Sequence, residues 1–133
     1  MYAVFDESLV TGNEMIDSQH KELISKINDL VKSCEASTGM VTAVNTLDYL
    51  SEYTDFHFSA EEKLQEEIGY PKLEEHKKQH EHLRQVVKDL HEMLVDEEGP
   101  SPAFVEQVQK NVIEWLYTHI KGFDRAVAKY AKQ

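Results

Sequence analysis

The sequence predicts an all-α fold: an up-down-up-down four-helix bundle with an N-terminal extended arm and a short C-terminal helical tail. Apolar residues recur at helical spacings of three and four through four long segments. The breaks between these segments are short and carry Gly, Pro or Ser, which makes consecutive helices antiparallel neighbours. No segment alternates apolar and polar residues in the manner of a strand. At 133 residues the chain fits one domain, residues 1–133, around one core.

Residues 1–15 include Gly12 and Asn13 and show no sustained period, so they are expected to form an arm lying across the bundle. The first helix is expected over 17–36, capped by Asp17 or Ser18, with Leu23, Ile24, Ile27, Leu30 and Val31 on its apolar face. Ser37-Thr38-Gly39 breaks the pattern. The second helix, 41–67, places Val44, Leu47, Leu50, Tyr53, Thr54, His57, Phe58, Glu61 and Leu64 at the same spacing. Gly69-Tyr70-Pro71 combines a helix C-cap with a first-turn proline. The third helix therefore starts at 71 and runs to 95 through Leu73, His76, His80, Leu83, Val87, Leu90 and Leu94. Asp96-Glu97-Glu98-Gly99-Pro100 separates it from the fourth, 102–120, which Ser101 caps and whose stripe is Phe104, Val105, Val108, Val112, Trp115, Leu116, His119 and Ile120. Gly122 loosens the end of this helix ahead of the tail, 123–131.

Lys and Arg number 14 against 25 Asp and Glu, a net charge of −11 that repels phosphate backbones and anionic head groups. Nucleic acid and membrane surfaces are thereby excluded as expected partners. There is no apolar run of bilayer length, and the first twenty residues lack the basic start and apolar stretch of a signal peptide, so a cytoplasmic location is expected. Cys34 is the single cysteine and forms no internal disulfide; it reads as a helix-end thiol. The unusual figure is 7 His in so short a chain, because imidazole is the commonest metal ligand.

His57, Glu61, His76, His80 and His119 fall on the apolar stripes, where core residues belong. Side chains four apart on a helix project to one side, so His57 with Glu61 and His76 with His80 are spaced as chelating pairs. His20 on the first helix and Asp124 after His119 extend the set to five imidazoles and two carboxylates. Burying these without a cation leaves unpaired polar groups at about 1–3 kcal/mol each. Nitrogen and carboxylate donors without a thiolate suit iron, manganese or zinc. Seven donors exceed what one tetrahedral ion uses, which points to two metals with the carboxylates bridging. Neither Glu-x-x-His nor His-Glu-x-x-His occurs, which removes the carboxylate-rich bundle sites and the zinc-protease reading. His119 and Asp124 are five residues apart, about 140° around an ideal helix. Both can face one site only if the turn widens or the helix is ending, and Gly122 makes either distortion easier. His82 and His91 read as surface residues, and Glu62, Glu66, Glu67, Glu74, Glu75 and Glu81 as solvated helix faces.

Four segments carry a family resemblance: Ile16-Asp17-Ser18-Gln19-His20-Lys21-Glu22-Leu23, His57-Phe58-Ser59-Ala60-Glu61-Glu62, His76-Lys77-Lys78-Gln79-His80, and Trp115-Leu116-Tyr117-Thr118-His119-Ile120-Lys121-Gly122-Phe123-Asp124. In order and spacing they resemble the hemerythrin family, in particular its single-domain bacterial members. One departure is Phe5 ahead of Asp6-Glu7-Ser8, where those members often have Trp. The resemblance implies a non-haem di-iron site, two iron ions joined by an oxo or hydroxo bridge, that binds O2 or another small diatomic reversibly. The positions matching His76, His80 and His119 would bind one iron, those matching His20 and His57 the other, with Glu61 and Asp124 bridging. It would also set Leu23, Phe58, Trp115, Leu116 and Ile120 around the O2 position. The expected function is oxygen storage, delivery or sensing without catalytic turnover. The alternatives are a di-iron redox enzyme acting on peroxide or nitric oxide, and a sensor module ordered by metal for a partner. The oligomeric state stays open.

Overall fold

The computed structural model describes residues 2–35 and 40–132. Ser37-Thr38-Gly39 and the expected helix end at residue 36 lie outside the described residues. Helix α1 spans Glu14–Glu35, α2 Met40–Ile68 and α3 Leu73–Asp96. The fourth helix, α4, runs unbroken through Pro102–Gln107, Val108–Glu114, Trp115–His119, Ile120–Asp124 and Arg125–Ala131, the second and fourth of these segments being π-helical. Among the described residues there is no strand, and no helix is long and apolar enough to cross a membrane.

Buried positions on the first three helices alternate spacings of four and three, as a helix facing one core requires. The stripes are Ile16, His20, Leu23, Ile27 and Leu30 on α1; Ala43, Leu47, Leu50, Thr54, His57 and Glu61 on α2; and His76, His80, Leu83, Val87, Leu90 and Leu94 on α3, with Ile24, Val31, Ser33, Phe58 and Gln65 buried beside them. Helix α4 differs. Among its buried residues Phe104, Val108, Val112, Leu116, Ile120, Asp124 and Ala128 form an unbroken run of fours, with Ile113, His119 and Val127 buried beside it. In an ideal α-helix each step of four drifts by about 40°, so six steps would turn the stripe by about 240°. Each π turn admits one extra residue and sets the register back by about 100°. Two such turns return the stripe to within about 40° of its start, which keeps it on the core. The expected separation of a helix ending at 120 from a tail starting at 123 is thus corrected: Gly122 lies inside a wide turn of one continuous helix.

The helix starts also move. Helix α1 begins at Glu14 because Asn13 Oδ1 accepts the Ile16 N–H at 3.0 Å, so neither Asp17 nor Ser18 is the cap. The Asp17 carboxylate instead accepts from the Thr11 N–H at 2.9 Å, the Thr11 hydroxyl at 2.7 Å and the Gly12 N–H at 3.2 Å, tying down the arm. The arm crosses from α1 to α4: Ala3 exchanges two 2.8 Å hydrogen bonds with Asn28, the Val4 N–H donates to the Tyr117 hydroxyl at 2.9 Å, and Arg125 donates to the Ser8 carbonyl. Helix α2 closes in a Schellman motif, Gly69 at φ 66° with Tyr70 N–H on Gln65 O at 2.9 Å, and α3 starts two residues past Pro71.

The main core fills the bundle from Leu23, Leu50, Leu83 and Leu116 down to Leu30, Ala43, Leu94 and Phe104. A small second cluster, Ile16, Val127 and Ala128 with Leu64, Ile68 and Tyr70, closes the opposite end. The polar residues of the stripes lie in sequence between the two.

Candidate metal centre

Up-down-up-down order puts the start of α1, the end of α2, the start of α3 and the end of α4 at one end of the bundle. These stretches carry His20; His57 and Glu61; His76 and His80; and His119 and Asp124. All seven side chains are buried, at 0–2% exposure. They converge as two overlapping groups, Glu61, His76, His80, His119 and Asp124 in one and His20, His57, Glu61 and Asp124 in the other, with donor atoms within 4.8 Å of each other in each group. The two carboxylates belong to both. His20 Nε2 lies 2.7 Å from Asp124 Oδ2, and His76 Nε2 lies 2.9 Å from Asp124 Oδ1, 3.0 Å from Glu61 Oε1 and 3.0 Å from His119 Nε2. The π turn over Ile120–Asp124 brings His119 Nε2 within 3.1 Å of Asp124 Oδ1 despite their five-residue separation.

The remaining ring nitrogens show which way the imidazoles face. His57 Nδ1 donates to the Gln19 amide oxygen at 2.8 Å, and His80 Nδ1 donates to the Glu62 carboxylate at 2.7 Å. With these protons on Nδ1, each ring turns a bare Nε2 lone pair toward the site. The His80 lone pair faces Glu61 Oε1 at 3.2 Å, two acceptors pointed at one another. Both Glu61 oxygens, Asp124 Oδ2, His80 Nε2 and both His20 nitrogens are buried without a well-formed hydrogen bond, although His20 Nε2 and Asp124 Oδ2 lie 2.7 Å apart and Glu61 Oε1 lies 3.0 Å from His76 Nε2. A set of converging, incompletely satisfied nitrogen and oxygen donors fits metal cations, which satisfy all of them at once. The Gln65 side-chain amide lies 2.9 Å from His76 Nδ1 and completes this outer ring.

Electrostatics agree with that chemistry. Burial holds His57 down to about 3 and His80 down to about 2, so both are neutral near pH 7, as metal ligation requires. For His76 burial works in the same direction, but hydrogen bonds to Asp124 and Glu61 outweigh it and raise the ring to about 9. Burial raises Glu61 well above the carboxylate range, and the Asp124 charge adds to this. Burial would raise Asp124 too, but His119, His20 and His76 around it hold it well below its usual range. His76 Nε2 thus lies between Asp124 Oδ1 and Glu61 Oε1, where a cation would meet all three.

Aromatic rings fix the ligands. Phe58 stacks on His80 with centroids 3.8 Å apart and planes 7° from parallel. Along α4, Trp115 and Phe123 lie nearly parallel to His119, at 4.6 Å and 11° and at 5.2 Å and 12°. The five residues expected around O2 belong to or pack against one core cluster and take different positions in it. Leu23 and Leu116 line a narrow apolar seam with Ile27, Leu50, Thr54, Leu83, Val87 and Val112. Phe58 and Trp115 instead stack on imidazoles, Trp115 is partly exposed beside His82, and Ile120 is buried outside the seam lining. The top layer of the seam is Leu23, Thr54, Leu83 and Leu116, each three residues from His20, His57, His80 or His119 toward the middle of its helix. That three-residue offset is legible in the sequence and would have named Thr54 and Leu83. Glu62, expected on a solvated face, is the acceptor for His80 with 19% of its side chain exposed. His82 is exposed as expected, whereas His91 is half-buried in a groove between α2 and α3.

Comparison with known proteins bears on the same residues. The family model of the hemerythrin HHE cation binding domain matches residues 11–131. Bacteriohemerythrin of Stenotrophomonas maltophilia (strain R551-3) is 31% identical over 129 residues, 97% of this chain and 81% of that protein. Myohemerythrin of Theromyzon tessulatum is 31% identical over 120 residues, 90% of this chain and 86% of that protein. The crystal structure of a wild-type hemerythrin shares the fold with a TM-score of 0.84 at 24% identity, covering 98% of each chain.

Proposed function

Because the chain belongs to the hemerythrin family, whose members bind a di-iron centre, we propose that it binds O2 reversibly and without catalytic turnover, for oxygen storage, delivery or sensing. The observation that carries this reading is the pair of overlapping donor groups sharing Glu61 and Asp124. In this reading His76, His80 and His119 hold one iron and His20 and His57 the other, with Glu61 and Asp124 spanning both. When bound, the iron pair supplies the electrons and an open coordination position for a diatomic ligand. The group of His20 and His57 offers four side chains against five in the other, so a metal held there would have the greater room for a diatomic ligand.

The protein's own part is to hold the donors and keep water out. Leu23, Leu83 and Leu116, with the methyl group of Thr54, form an apolar floor below the imidazoles, and Ile16, Val127 and Ala128 close the site from above. Excluding water from such a site disfavours the escape of charged oxygen species and so protects reversibility. Nδ1 protons held by Gln19 and Glu62 keep His57 and His80 in the ligating tautomer. The test is metal analysis of anaerobically purified protein followed by an optical O2 titration. Two irons per chain and a visible absorption change that reverses on removing O2 are expected; irreversible oxidation with no oxygenated species would overturn the reading. Steady-state consumption of peroxide or nitric oxide with a reductant, above an iron-free control, would replace binding with turnover.

A further inference from the structure

Three imidazoles of the site have side-chain partners on Nδ1, and the partners are not equivalent. His57 Nδ1 has an amide oxygen of Gln19 at 2.8 Å and His80 Nδ1 a carboxylate oxygen of Glu62 at 2.7 Å, both acceptors, whereas His76 Nδ1 faces the amide nitrogen of Gln65, a donor, at 2.9 Å. A carboxylate acceptor draws the Nδ1 proton more strongly than an amide does and pushes electron density toward Nε2, the atom that faces the site. One turn of α2 supplies three contacts of His80: Phe58 flat against its ring, Glu61 opposite its Nε2 at 3.2 Å, and Glu62 on its Nδ1. Arg84 from α3 lies over the far part of this arrangement, 5.3 Å from the Phe58 ring centre and paired with Asp55 and Glu81.

We propose that Glu62 is a positioning residue that makes His80 the strongest imidazole donor of the site and so makes the two metals of the pair unequal. The inference rests on the di-iron reading above. It deepens that reading by assigning the stronger field to the half holding His76, His80 and His119. Greater donation from His80 stabilises the oxidised form of the iron it holds, which lowers the reduction potential of that half relative to the half served by the neutral Gln19.

Anaerobic ferrous iron titration of wild type, Glu62→Gln and Glu62→Ala against a competing chelator tests this, together with the reduction potential of each loaded protein and far-UV circular dichroism of each metal-free one. Glu62→Gln keeps an acceptor without the charge. It is expected to fold normally, to take up two irons, and to show a more positive potential. Glu62→Ala removes the acceptor and is expected to lose about 10–100-fold in iron affinity. Truncating Gln19 to Ala should leave the potential of the His80 half in place. If Glu62→Gln matches wild type in affinity and potential while wild type binds two irons, the role of Glu62 is overturned and the di-iron reading survives. If wild type takes up no iron pair, both fall. A merely structural Glu62 would lower the melting temperature of the metal-free variants without moving the potential in Glu62→Gln.

Discussion

The two ends of this bundle are laid out on the same helical spacing and filled with opposite chemistry. From Leu83 to Leu94 on α3, and over the facing stretches of α1, α2 and α4, the stripes are Leu, Ile, Val, Ala and Phe apart from Thr54, whose buried hydroxyl makes no hydrogen bond, and Ser33, satisfied by the Leu30 carbonyl at 2.7 Å. One helical turn beyond Leu83 the same stripes carry five imidazoles and two carboxylates, equally buried. The apolar end gains from burial alone, at about 25 cal/mol per Å² removed from water. The polar end loses hydration and recovers only part of it, because several of its inward-facing atoms, His80 Nε2 and Glu61 Oε2 among them, make no well-formed hydrogen bond. Helical periodicity thus decides which residues go inside. Whether burial stabilises depends on what satisfies them, and at this end it is a cation.

The largest expected way to break that contrast is acid. In the metal-free chain His57 and His80 sit at about 3 and about 2, against 6.5 for an unperturbed imidazole. Below pH 6.5 the unfolded chain takes up two protons that the folded chain refuses, so stability falls as pH falls. The slope is about 1.4 kcal/mol per pH unit for each group. His76 has the opposite sign: raised to about 9, its contribution is complete below 6.5 and is lost as pH rises through 9. As far as these three groups govern it, metal-free stability peaks near pH 6.5, as denaturant unfolding across pH would show. A flat profile on the acid side would mean that His57 and His80 are not held neutral.

Next in size is a cavity at the dry end. Phe104 is fully buried, and Phe104→Ala should lower stability by about 3–5 kcal/mol. The loss should be the same in metal-free and iron-loaded protein, and iron stoichiometry in the folded fraction should not change. A smaller change at the wet end should reverse sign with loading. Glu61→Gln removes a buried carboxyl group that desolvation and the Asp124 charge destabilise, so the metal-free chain should gain about 1 kcal/mol while iron binding weakens. Thermal melts with and without ferrous iron measure both, and equal shifts in the two states would remove the distinction between the ends.

The first three helices and the five polar site residues they carry, His20, His57, Glu61, His76 and His80, were legible because alternating threes and fours leave little freedom in which face is buried. The π turns were not, although their signature is present: Phe104, Val108, Val112, Leu116, Ile120, Asp124 and Ala128 run in unbroken fours. Ideal α geometry cannot keep such a run on one side, so the choice lay between a helix that ends and a helix that widens. The Asn13 cap was obscured by Asp17 and Ser18, equally good cap residues a turn later. Gln19, Glu62 and Gln65 were hidden for a different reason. Their role depends on how α1, α2 and α3 pack against one another, and on its own helix Glu62 is one of many acidic residues facing outward.

The smallest expected effect concerns Gly122, inside the wide turn that lets His119 and Asp124 meet. If the turn needs glycine, any side chain there should cost the site. The structure argues otherwise: Gly122 is exposed, its φ is not in the positive region, and a Cβ placed on it meets nothing within 4 Å. Gly122→Ala should therefore stabilise the helix by about 0.5–1 kcal/mol and leave two irons bound. Deleting Gly122 should do the reverse, since loss of one residue turns Asp124 by about 100° relative to His119 while helix content stays unchanged. The site at this end would then depend on the number of residues in the turn rather than on their identity. A Gly122→Ala chain that folds but no longer binds iron would show that glycine itself is required.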